Sequence, residues 1–573
     1  MGEFAATLKA AGPTPGTVAA VSPGLRRPFV AVLAGVLLAT LTVAVQLTFY
    51  DRGVVPMDEG QLVAIAARLL NGEVLYRDVY TGVFPAIYYL TAGLLAAVRA
   101  DVIVTRWAQL LINTVTALLL FSLARCAAPL RWAAIAALLY VALIIVDFPG
   151  LTMFNYSPLA LVFGLGALRL AIGYVDSARW LDGVLVGALT AGAVLSKQNF
   201  GALVLLAILV SVVLCRPGSA LARRSLVGAL LPIATAGLAI AVPVAAYFAH
   251  VGALGSLVND TMVGISGPQL TSFNNPIPPL FTRLPLDNGR FNFLYTPPTL
   301  CNYLLRGEAL WGVPMSPLVR TLAIKASYGL ALGTLFVAPP LLWVTRRARP
   351  ASERRTALAI NVFALLLFFG LFPSAIWPHL AFVAAPLLIL AVVAAARVER
   401  VLTAWSRQAG RAWQAAWAVM LVGLALLSIT LIGAIRRWNP VPLGLERATL
   451  FVSDENAALF RSATEFITAH TAPGEPIFVA PTMPLLYFLT DRRNPTPYDL
   501  TVPGDVRGPV IVDRLEATRT RYVVYNPQMY IEFPPFAALF PEVDEYLRTR
   551  YQPTVTFRGG LTTWMGLVRA DAR

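Results

Sequence analysis

Long apolar runs separated by short arginine-bearing segments dominate the chain from residue 29 to residue 435. Most of these runs have roughly the 17 to 25 residues that a helix needs to cross the hydrocarbon core of a bilayer. We therefore predict about eleven membrane-spanning helices, at 29–49, 103–124, 132–147, 153–173, 181–196, 200–214, 225–249, 321–344, 356–373, 379–396 and 415–435.

The arginine residues predict which ends of these helices face the cytoplasm. With the N-terminus inside, every predicted inner loop is basic, as the positive-inside rule requires. The apolar stretch 84–98 is too short to count as a span, so we interpret it as a juxtamembrane or re-entrant helix. An odd number of spans then places the C-terminus outside. We expect a multi-pass protein of the plasma (inner) membrane, with a cytoplasmic N-terminal tail at 1–28 and a retained signal anchor.

Three longer segments are predicted on the outer side of the transmembrane domain 29–435. Residues 50–102 form an acidic first loop, and residues 250–320 form a second loop that is long enough to act as a lid. Residues 436–573 alternate a helical pattern with short β-type runs, which predicts a small α/β domain. The fold class is therefore mainly α, a polytopic helical membrane domain with a C-terminal extracytoplasmic α/β domain.

Composition agrees with a membrane protein and argues against nucleic-acid binding. The chain is 57% hydrophobic and 13% charged, with a mean hydropathy of +0.69, whereas soluble domains have about 25% charged residues. The net charge of +15 comes from arginines in short loops, where they set topology. Membrane lipids, and no nucleic acid, are the partners that this pattern implies.

Acidic side chains gather in the first outer loop, directly after the first predicted span. Asp58 and Glu59 are adjacent, and Asp78 follows twenty residues later. The residues between them, 60–70, are expected to form an amphipathic helix in the membrane interface, which would bring the two acidic positions to one pocket. Such carboxylates serve as general bases or as ligands of a divalent metal. The alternative is structural, with Asp58 as the helix cap and Glu59 near the positive helix end.

Four further polar residues are candidates for the same outer face. Asp147 ends the third predicted span and is a candidate second acid, or a metal ligand together with Asp58. Lys197 lies between two short apolar runs and can stabilise the charge of a departing phosphate, as can Arg106 and His379. The alternatives are a helix-end polar residue for Asp147, a snorkelling lysine, and structural roles for Arg106 and His379.

The stretch 55–95 resembles the first outer loop of the GT-C superfamily of membrane glycosyltransferases. More narrowly, it is similar to protein-mannosyltransferase-like (family 39-like) and aminoarabinose-transferase-like enzymes. The resemblance rests on the Asp-Glu pair, on Gly72, Tyr76 and Asp78 in a Gly-x-x-x-Tyr-x-Asp element, and on Pro85 before an aromatic-rich helix. It implies the GT-C fold and a donor sugar linked to polyprenyl phosphate. By position, it implies that Asp58 is the base or a metal or acceptor ligand and that Glu59 is its partner.

Taken together, these features predict an inverting membrane glycosyltransferase of the cell envelope. Its acceptor would be a hydroxyl of a protein, a glycan or a lipid, with Asp78 or Asp147 near the acceptor. No cofactor is required by the sequence, and a divalent metal ion is the one candidate. Two other functions stay open: a transporter or lipid flippase, and a non-catalytic GT-C scaffold in envelope assembly.

Overall fold

The computed structural model describes residues 26–263, 270, 273–504, 506–529, 533–559 and 562–571. Most of the predicted cytoplasmic tail, residues 1–25, lies outside the described residues. The described chain forms a bundle of long apolar helices, as the sequence predicts, followed by a segment of mixed helices and strands. It is a multi-pass membrane protein.

Helices follow one another closely along the first half of the chain. They are α1 (Arg26–Leu47), α2 (Asp58–Leu70), α3 (Ala86–Ala97), α4 (Val102–Arg125), α5 (Leu130–Val146), α6 (Tyr156–Ser177), α7 (Trp180–Ser196), α8 (Gln198–Cys215) and α9 (Leu226–His250). Helices α2 and α3 belong to the first outer loop. The others coincide with the first seven predicted spans.

The second half of the bundle begins with the second outer loop. That loop contains short helices and one hairpin: α10 (Leu254–Val258), α11 (Gly289–Tyr295), α12 (Pro298–Leu305), β1 (Ala309–Leu310) and β2 (Val313–Pro314). The remaining predicted spans fall on α13 (Pro317–Val344), α14 (Ala351–Phe368), α15 (Trp377–Trp405) and α16 (Arg407–Trp438).

Most of the predicted spans are long enough to cross a bilayer. In the described part of the chain, nine helices are both long and apolar enough for this. Helices α5 and α7 have only 17 residues each, which corresponds to about 25 Å of helix. Helix α3 has 12 residues, consistent with its interpretation as a short non-spanning helix. The exact number of spans therefore remains a prediction.

Small residues let neighbouring spans approach closely inside the bundle. A Cβ atom at Gly187 on α7 would lie 2.2 Å from the carbonyl oxygen of Ile233 on α9, and one at Gly183 would lie 2.7 Å from Pro232. The two glycines are four residues apart, so they share one face of α7. Without a hydrophobic driving force between helices in lipid, such close backbone contact is what stabilises their association.

The described residues that follow the bundle combine helices with short β-strands and are called the C-terminal domain below. Its elements are β3 (Val441–Pro442), β4 (Phe451–Val452), α17 (Asp454–His470), β5 (Ile477–Ala480), α18 (Leu485–Thr490), α19 (Gly508–Ala517), β6 (Tyr522–Tyr525), α20 (Phe536–Leu539), α21 (Pro541–Arg550), β7 (Tyr551–Gly559) and β8 (Thr562–Arg569). The main sheet has the strand order β5-β6-β8-β7, in which only β5 and β6 are parallel.

The apolar positions of α2, which the sequence predicts to face the membrane interface, are covered by protein. Leu62, Val63, Ala64, Ile65 and Ala66 are all at most 5% exposed, so the helix is covered on opposite faces. One face shares an apolar core with the C-terminal domain, and the other packs on the outer ends of the bundle. The apolar positions of α2 therefore face protein and not lipid.

Candidate active site

The first acidic pair lies at the start of α2, where the chain turns back over the bundle. Before this helix, Gly53 adopts a left-handed conformation with φ +71°, and a Cβ atom there would lie 2.9 Å from the ring of Phe148. Asp58 and Glu59 occupy the first turn of α2, where the positive end of the helix dipole stabilises carboxylates. The residue at the cap position is Met57, which makes no side-chain capping bond. The capping role considered for Asp58 is therefore not observed.

Glu59 and Arg106 form a fully buried ion pair that fastens α2 to α4. The Arg106 side chain binds both carboxylate oxygens of Glu59, with 2.7 Å between Nη2 and Oε2. Its Nη1 atom also donates to the Thr152 hydroxyl at 3.1 Å, and Nη2 donates to the carbonyl of Gly53 at 3.4 Å. Arg106 is thus occupied by internal partners, an arrangement that suits positioning of the loop.

Asp58 points to a different environment from its neighbour. It lines a small pocket between the first outer loop and the start of α6, together with Gln61, Leu62, Ile87, Tyr88, Phe154, Asn155 and Tyr156. The Asp58 side chain is exposed to this pocket, but protein surrounds the pocket on most sides. This desolvation, with a smaller contribution from the charge of Glu59, raises the pKa of Asp58 to about 6.

Lys197 does not line this pocket but contacts one of the residues that do. It links α7 to α8, and its Nζ atom lies 4.9 Å from the ring centroid of Tyr156, a residue that lines the Asp58 pocket. The ammonium donates a hydrogen bond to the hydroxyl of Ser157 at 2.9 Å. Among the described residues, no carboxylate lies within ion-pair distance of Lys197. The first turn of α6 thus separates a carboxylate from a cation that lacks an acidic partner.

His379 belongs to the surroundings of Lys197. It lies in the first turn of α15, in the neighbourhood of Lys197. Its Nδ1 atom is 2.5 Å from the carbonyl oxygen of Ser374, which fixes the orientation of the ring. Lys197 and His379 thus lie in one region of the structure, and their role as phosphate contacts stays a prediction.

Asp147 is fully buried at the end of α5. Within the described part of the chain, neither of its carboxylate oxygens has a hydrogen bond of ordinary geometry, although the Trp377 indole lies nearby. Gly150 is packed against the carboxylate so closely that a Cβ atom there would lie 2.5 Å from Oδ2. Asp147 is not among the residues that line the Asp58 pocket.

Asp78 does not join Asp58, contrary to the expectation that the two acidic positions meet in one pocket. It accepts a hydrogen bond from the backbone N–H of Val74 at 2.8 Å and pairs with Arg77 at 2.8 Å. The intervening residue Tyr76 has a φ of +68°, and this turn directs Asp78 toward the surface. The Gly72-Tyr76-Asp78 element therefore shapes the loop that follows α2.

Several residues near the site are missed by the sequence reasoning, although they lie beside predicted ones. Gln198 follows Lys197, and its amide nitrogen donates to the carbonyls of Gly82 at 2.6 Å and Thr261 at 3.1 Å, so it ties both outer loops to the bundle. Tyr156 and Ser157 follow Asn155, which caps α6. Their position could have been inferred from the sequence, because they are polar or aromatic residues at the start of an apolar run.

The C-terminal domain holds the other side of α2. Gly60 touches α18 so closely that a Cβ atom would lie 2.6 Å from the backbone nitrogen of Leu485. At the far end of α2, Arg68 forms a 3.1 Å ion pair with the fully buried Asp499 and a 2.7 Å pair with Glu73. The helix that presents Asp58 is therefore clamped between the bundle and the C-terminal domain.

The described residues offer a divalent metal few ligands. Mg²⁺ and Ca²⁺ take six or more oxygen ligands, of which protein carboxylates usually supply several. No group of three or more histidine, cysteine, aspartate or glutamate side chains gathers in the described part of the chain. We therefore derive no catalytic step through a metal at Asp58 and Asp147.

Comparison with solved structures identifies the fold. The chain superimposes on ArnT from Cupriavidus metallidurans in the apo state with a TM-score of 0.51 and 17% identity, and on its undecaprenyl phosphate complex with 0.50 and 16%. Both matches cover 93% of this chain and 97% of ArnT. The oligosaccharyltransferase AglB from Archaeoglobus fulgidus matches with a TM-score of 0.50 and 11% identity, over 91% of this chain and 73% of AglB.

These similarities concern the structure and not the sequence. No protein-family model matches the chain, and no curated protein matches it. The matched structures nevertheless cover both the helical bundle and the C-terminal domain, since they span more than nine-tenths of this chain. The chain therefore has the fold of the GT-C membrane glycosyltransferases.

Proposed function

We propose that this protein is a membrane glycosyltransferase that moves a sugar from a polyprenyl-phosphate carrier to an acceptor hydroxyl on the extracytoplasmic face. The observation that carries the proposal is that Tyr156 neighbours both groups: it lines the pocket together with Asp58, and its ring centroid lies 4.9 Å from Nζ of Lys197. One group can accept a proton, and the other can neutralise a phosphate. A glycosyl transfer from a lipid phosphate needs a base at the acceptor hydroxyl and a cation at the leaving phosphate.

In this reaction Asp58 acts on the acceptor. Its carboxylate accepts the proton of the acceptor hydroxyl while the hydroxyl oxygen attacks the anomeric carbon of the donor. A pKa of about 6 keeps Asp58 ionised at neutral pH and makes it a stronger base than an ordinary aspartate. A single displacement of this kind inverts the configuration at the anomeric carbon.

Lys197 acts on the leaving group. As the bond between the anomeric carbon and the phosphate oxygen breaks, its electron pair stays on the lipid phosphate. The Lys197 ammonium has no acidic partner among the described residues, so it is available to stabilise this charge. His379 is the second candidate contact for the phosphate, because it shares the surroundings of Lys197.

Glu59 and Arg106 are positioning residues in this scheme. Their buried ion pair fixes the first turn of α2, and with it the backbone of Asp58. We assign Arg106 this role in place of the predicted phosphate contact, because its side chain is hydrogen-bonded to Glu59, Thr152 and Gly53. Reactive groups held within about 1 Å of their working geometry account for much of an enzyme's rate.

The ligands of proteins with this fold support a lipid-phosphate donor. The ArnT structure contains undecaprenyl phosphate, and the AglB structure contains a dolichol-phosphate and an inhibitory peptide. The arginine-rich loops at the opposite end of the bundle support an extracytoplasmic site. We accordingly propose an N-terminus in the cytoplasm and the C-terminal domain outside the plasma (inner) membrane, with a protein, glycan or lipid as acceptor.

The proposal is tested by turnover of the purified full-length protein in lipid nanodiscs. A panel of polyprenyl-phosphate sugars is supplied with envelope glycans, peptides and lipids, and release of polyprenyl phosphate is measured by mass spectrometry. We expect release by the wild-type protein and at least a 100-fold loss in Asp58→Asn, because the amide cannot accept the proton.

The matched control is Asp51→Asn, which changes an acidic residue of the same loop that pairs with Arg52 outside the pocket. It should retain wild-type turnover. Equal turnover by Asp58→Asn and Asp51→Asn would remove Asp58 as the base. Absence of release with every donor would favour the non-catalytic scaffold, and movement of an intact solute without bond cleavage would favour the transporter.

A further inference from the structure

The second outer loop ends in a hairpin with an unusual residue at its tip. Strands β1 and β2 pair antiparallel, with Ala309 opposite Pro314 and Leu310 opposite Val313. The two residues between the strands, Trp311 and Gly312, have φ values of +53° and +77°. Positive values at both central positions define a type I′ turn, which normally selects asparagine, aspartate or glycine.

A tryptophan at the first central position is unfavourable for the backbone. Bulky residues rarely adopt the left-handed conformation, because Cβ then crowds the following carbonyl. A residue keeps such a conformation where contacts with its surroundings offset the cost, and such residues are concentrated at functional positions. The indole of Trp311 is therefore the feature of this turn that needs an explanation.

The surroundings of the indole belong to a membrane-spanning helix. Its Nε1 atom donates a hydrogen bond to the hydroxyl of Thr430 on α16 at 2.9 Å. Leu426 and Ile429 on the same helix are 56% and 68% exposed, although α16 is among the most apolar helices of the chain. Exposed aliphatic residues on a spanning helix face lipid. Trp311 is 62% exposed beside them, so its ring faces lipid too.

The depth of Trp311 follows from its position along α16. Arg436 and Arg437 end the apolar part of this helix and mark the polar boundary of the bilayer. Thr430 lies six residues before Arg436, which corresponds to about 9 Å along the helix axis. Tryptophan is enriched at this level, between the headgroups and the acyl chains, because its ring is apolar and its N–H group is polar.

The base of the hairpin is fastened to the same helix, so the tip cannot swing away from it. Glu308 accepts a hydrogen bond from the Trp438 indole at 2.8 Å and lies 3.8 Å from Arg437. Arg306 stacks over the Trp438 ring at 5.6 Å. With the base at the end of α16 and the tip near Thr430, the hairpin runs down the lipid-facing side of the bundle.

We propose that the β1–β2 hairpin is a membrane wedge whose Trp311 side chain inserts into the outer leaflet beside α16. Its partner is the lipid at the boundary between headgroups and acyl chains. The insertion anchors the 250–320 loop to the bilayer surface next to the bundle. This inference depends on the multi-pass membrane fold and not on the proposed catalytic reaction.

Fluorescence quenching by lipid tests the wedge. Full-length wild-type protein and the variant Trp311→Phe are placed in nanodiscs of ordinary phospholipid or of phospholipid brominated on the upper part of the acyl chain. The difference between the two proteins isolates the emission of Trp311 from that of the other tryptophans. Trp564→Phe is the matched control, because Trp564 lies in the C-terminal domain and is 3% exposed.

We expect brominated lipid to quench the Trp311 emission at least twofold more than the Trp564 emission, and aqueous iodide to leave it unquenched. Equal lipid quenching of the two tryptophans, or strong quenching of Trp311 by iodide, would overturn the wedge. Trp311→Tyr provides the same subtraction if the phenylalanine variant fails to fold. Loss of turnover in Asp58→Asn has no bearing on this result.

Discussion

Replacing Gly60 by alanine places a methyl group at the contact between α2 and the C-terminal domain. The added Cβ would lie 2.6 Å from the backbone nitrogen of Leu485, 2.9 Å from its Cβ and 3.0 Å from its Cα. Ordinary contacts between such atoms begin at about 3.5 Å. Because backbone atoms of Leu485 cannot rotate away, α2 and α18 must separate by about 1 Å.

The displacement should affect the reaction rate more than the stability. Overpacking of this kind costs about 1–3 kcal/mol of unfolding free energy, and replacing a helical glycine by alanine returns about 1 kcal/mol. The net loss of stability is therefore at most about 2 kcal/mol. Asp58 lies only two residues from Gly60, and a shift of about 1 Å in a reactive group can slow a reaction about 100-fold.

The assay is the initial rate of polyprenyl-phosphate release, measured with a parallel thermal unfolding scan. The matched control is Gly93→Ala on α3, where a Cβ atom would meet nothing within 4 Å. We expect a rate loss of about 10-fold to 100-fold for Gly60→Ala and an unchanged rate for Gly93→Ala. Equal rates and equal unfolding temperatures in the two variants would refute the clamp on α2.

Three further predictions concern the charges of the site. Asp58 must be ionised to act as a base, and its pKa is about 6, so the turnover rate should fall about tenfold for each pH unit below 6. This is checked by initial rates between pH 4.5 and 8, measured on protein that is shown to stay folded over that range. Lys197→Gln should lower kcat about 100-fold with a smaller change in KM, and Lys197→Arg should restore part of it; an unchanged kcat would exclude the leaving-group role. Arg68→Ala leaves Asp499 buried without its cation, so the unfolding free energy should fall by about 3–5 kcal/mol. Arg77→Ala removes an exposed pair and should leave the unfolding free energy nearly unchanged in the same denaturation experiment.

The sequence predicts the positions of the membrane helices well, because the thickness of the bilayer fixes the length of an apolar run. It also predicts α17 and the strands of the main sheet, since Pro and Gly residues bound each short β-type run. These are local signals, which are read within one window of the chain. The short helices α5 and α7 show the limit, because an apolar run of 17 residues is close to the minimum for a span.

Contacts between distant segments account for what the sequence did not predict. The apolar pattern of α2 is compatible with contact to lipid or to protein. In the structure one face of α2 packs against a domain that begins more than 350 residues later, at β3. The pair of Arg68 with Asp499 joins residues 431 positions apart, and the pair of Glu59 with Arg106 joins residues 47 apart. The periodicity of the sequence does not predict such pairings. From the sequence alone, Arg106 is therefore as plausible a phosphate ligand as it is an ion-pair partner of Glu59.

The proposed active site is best tested by a cryo-EM structure of the protein with polyprenyl phosphate bound. We expect a phosphate oxygen about 3 Å from Nζ of Lys197, with Asp58 facing the same chamber on the other side of Tyr156. A lipid phosphate bound elsewhere, with Lys197 and Asp58 both out of its reach, would contradict the proposed active site.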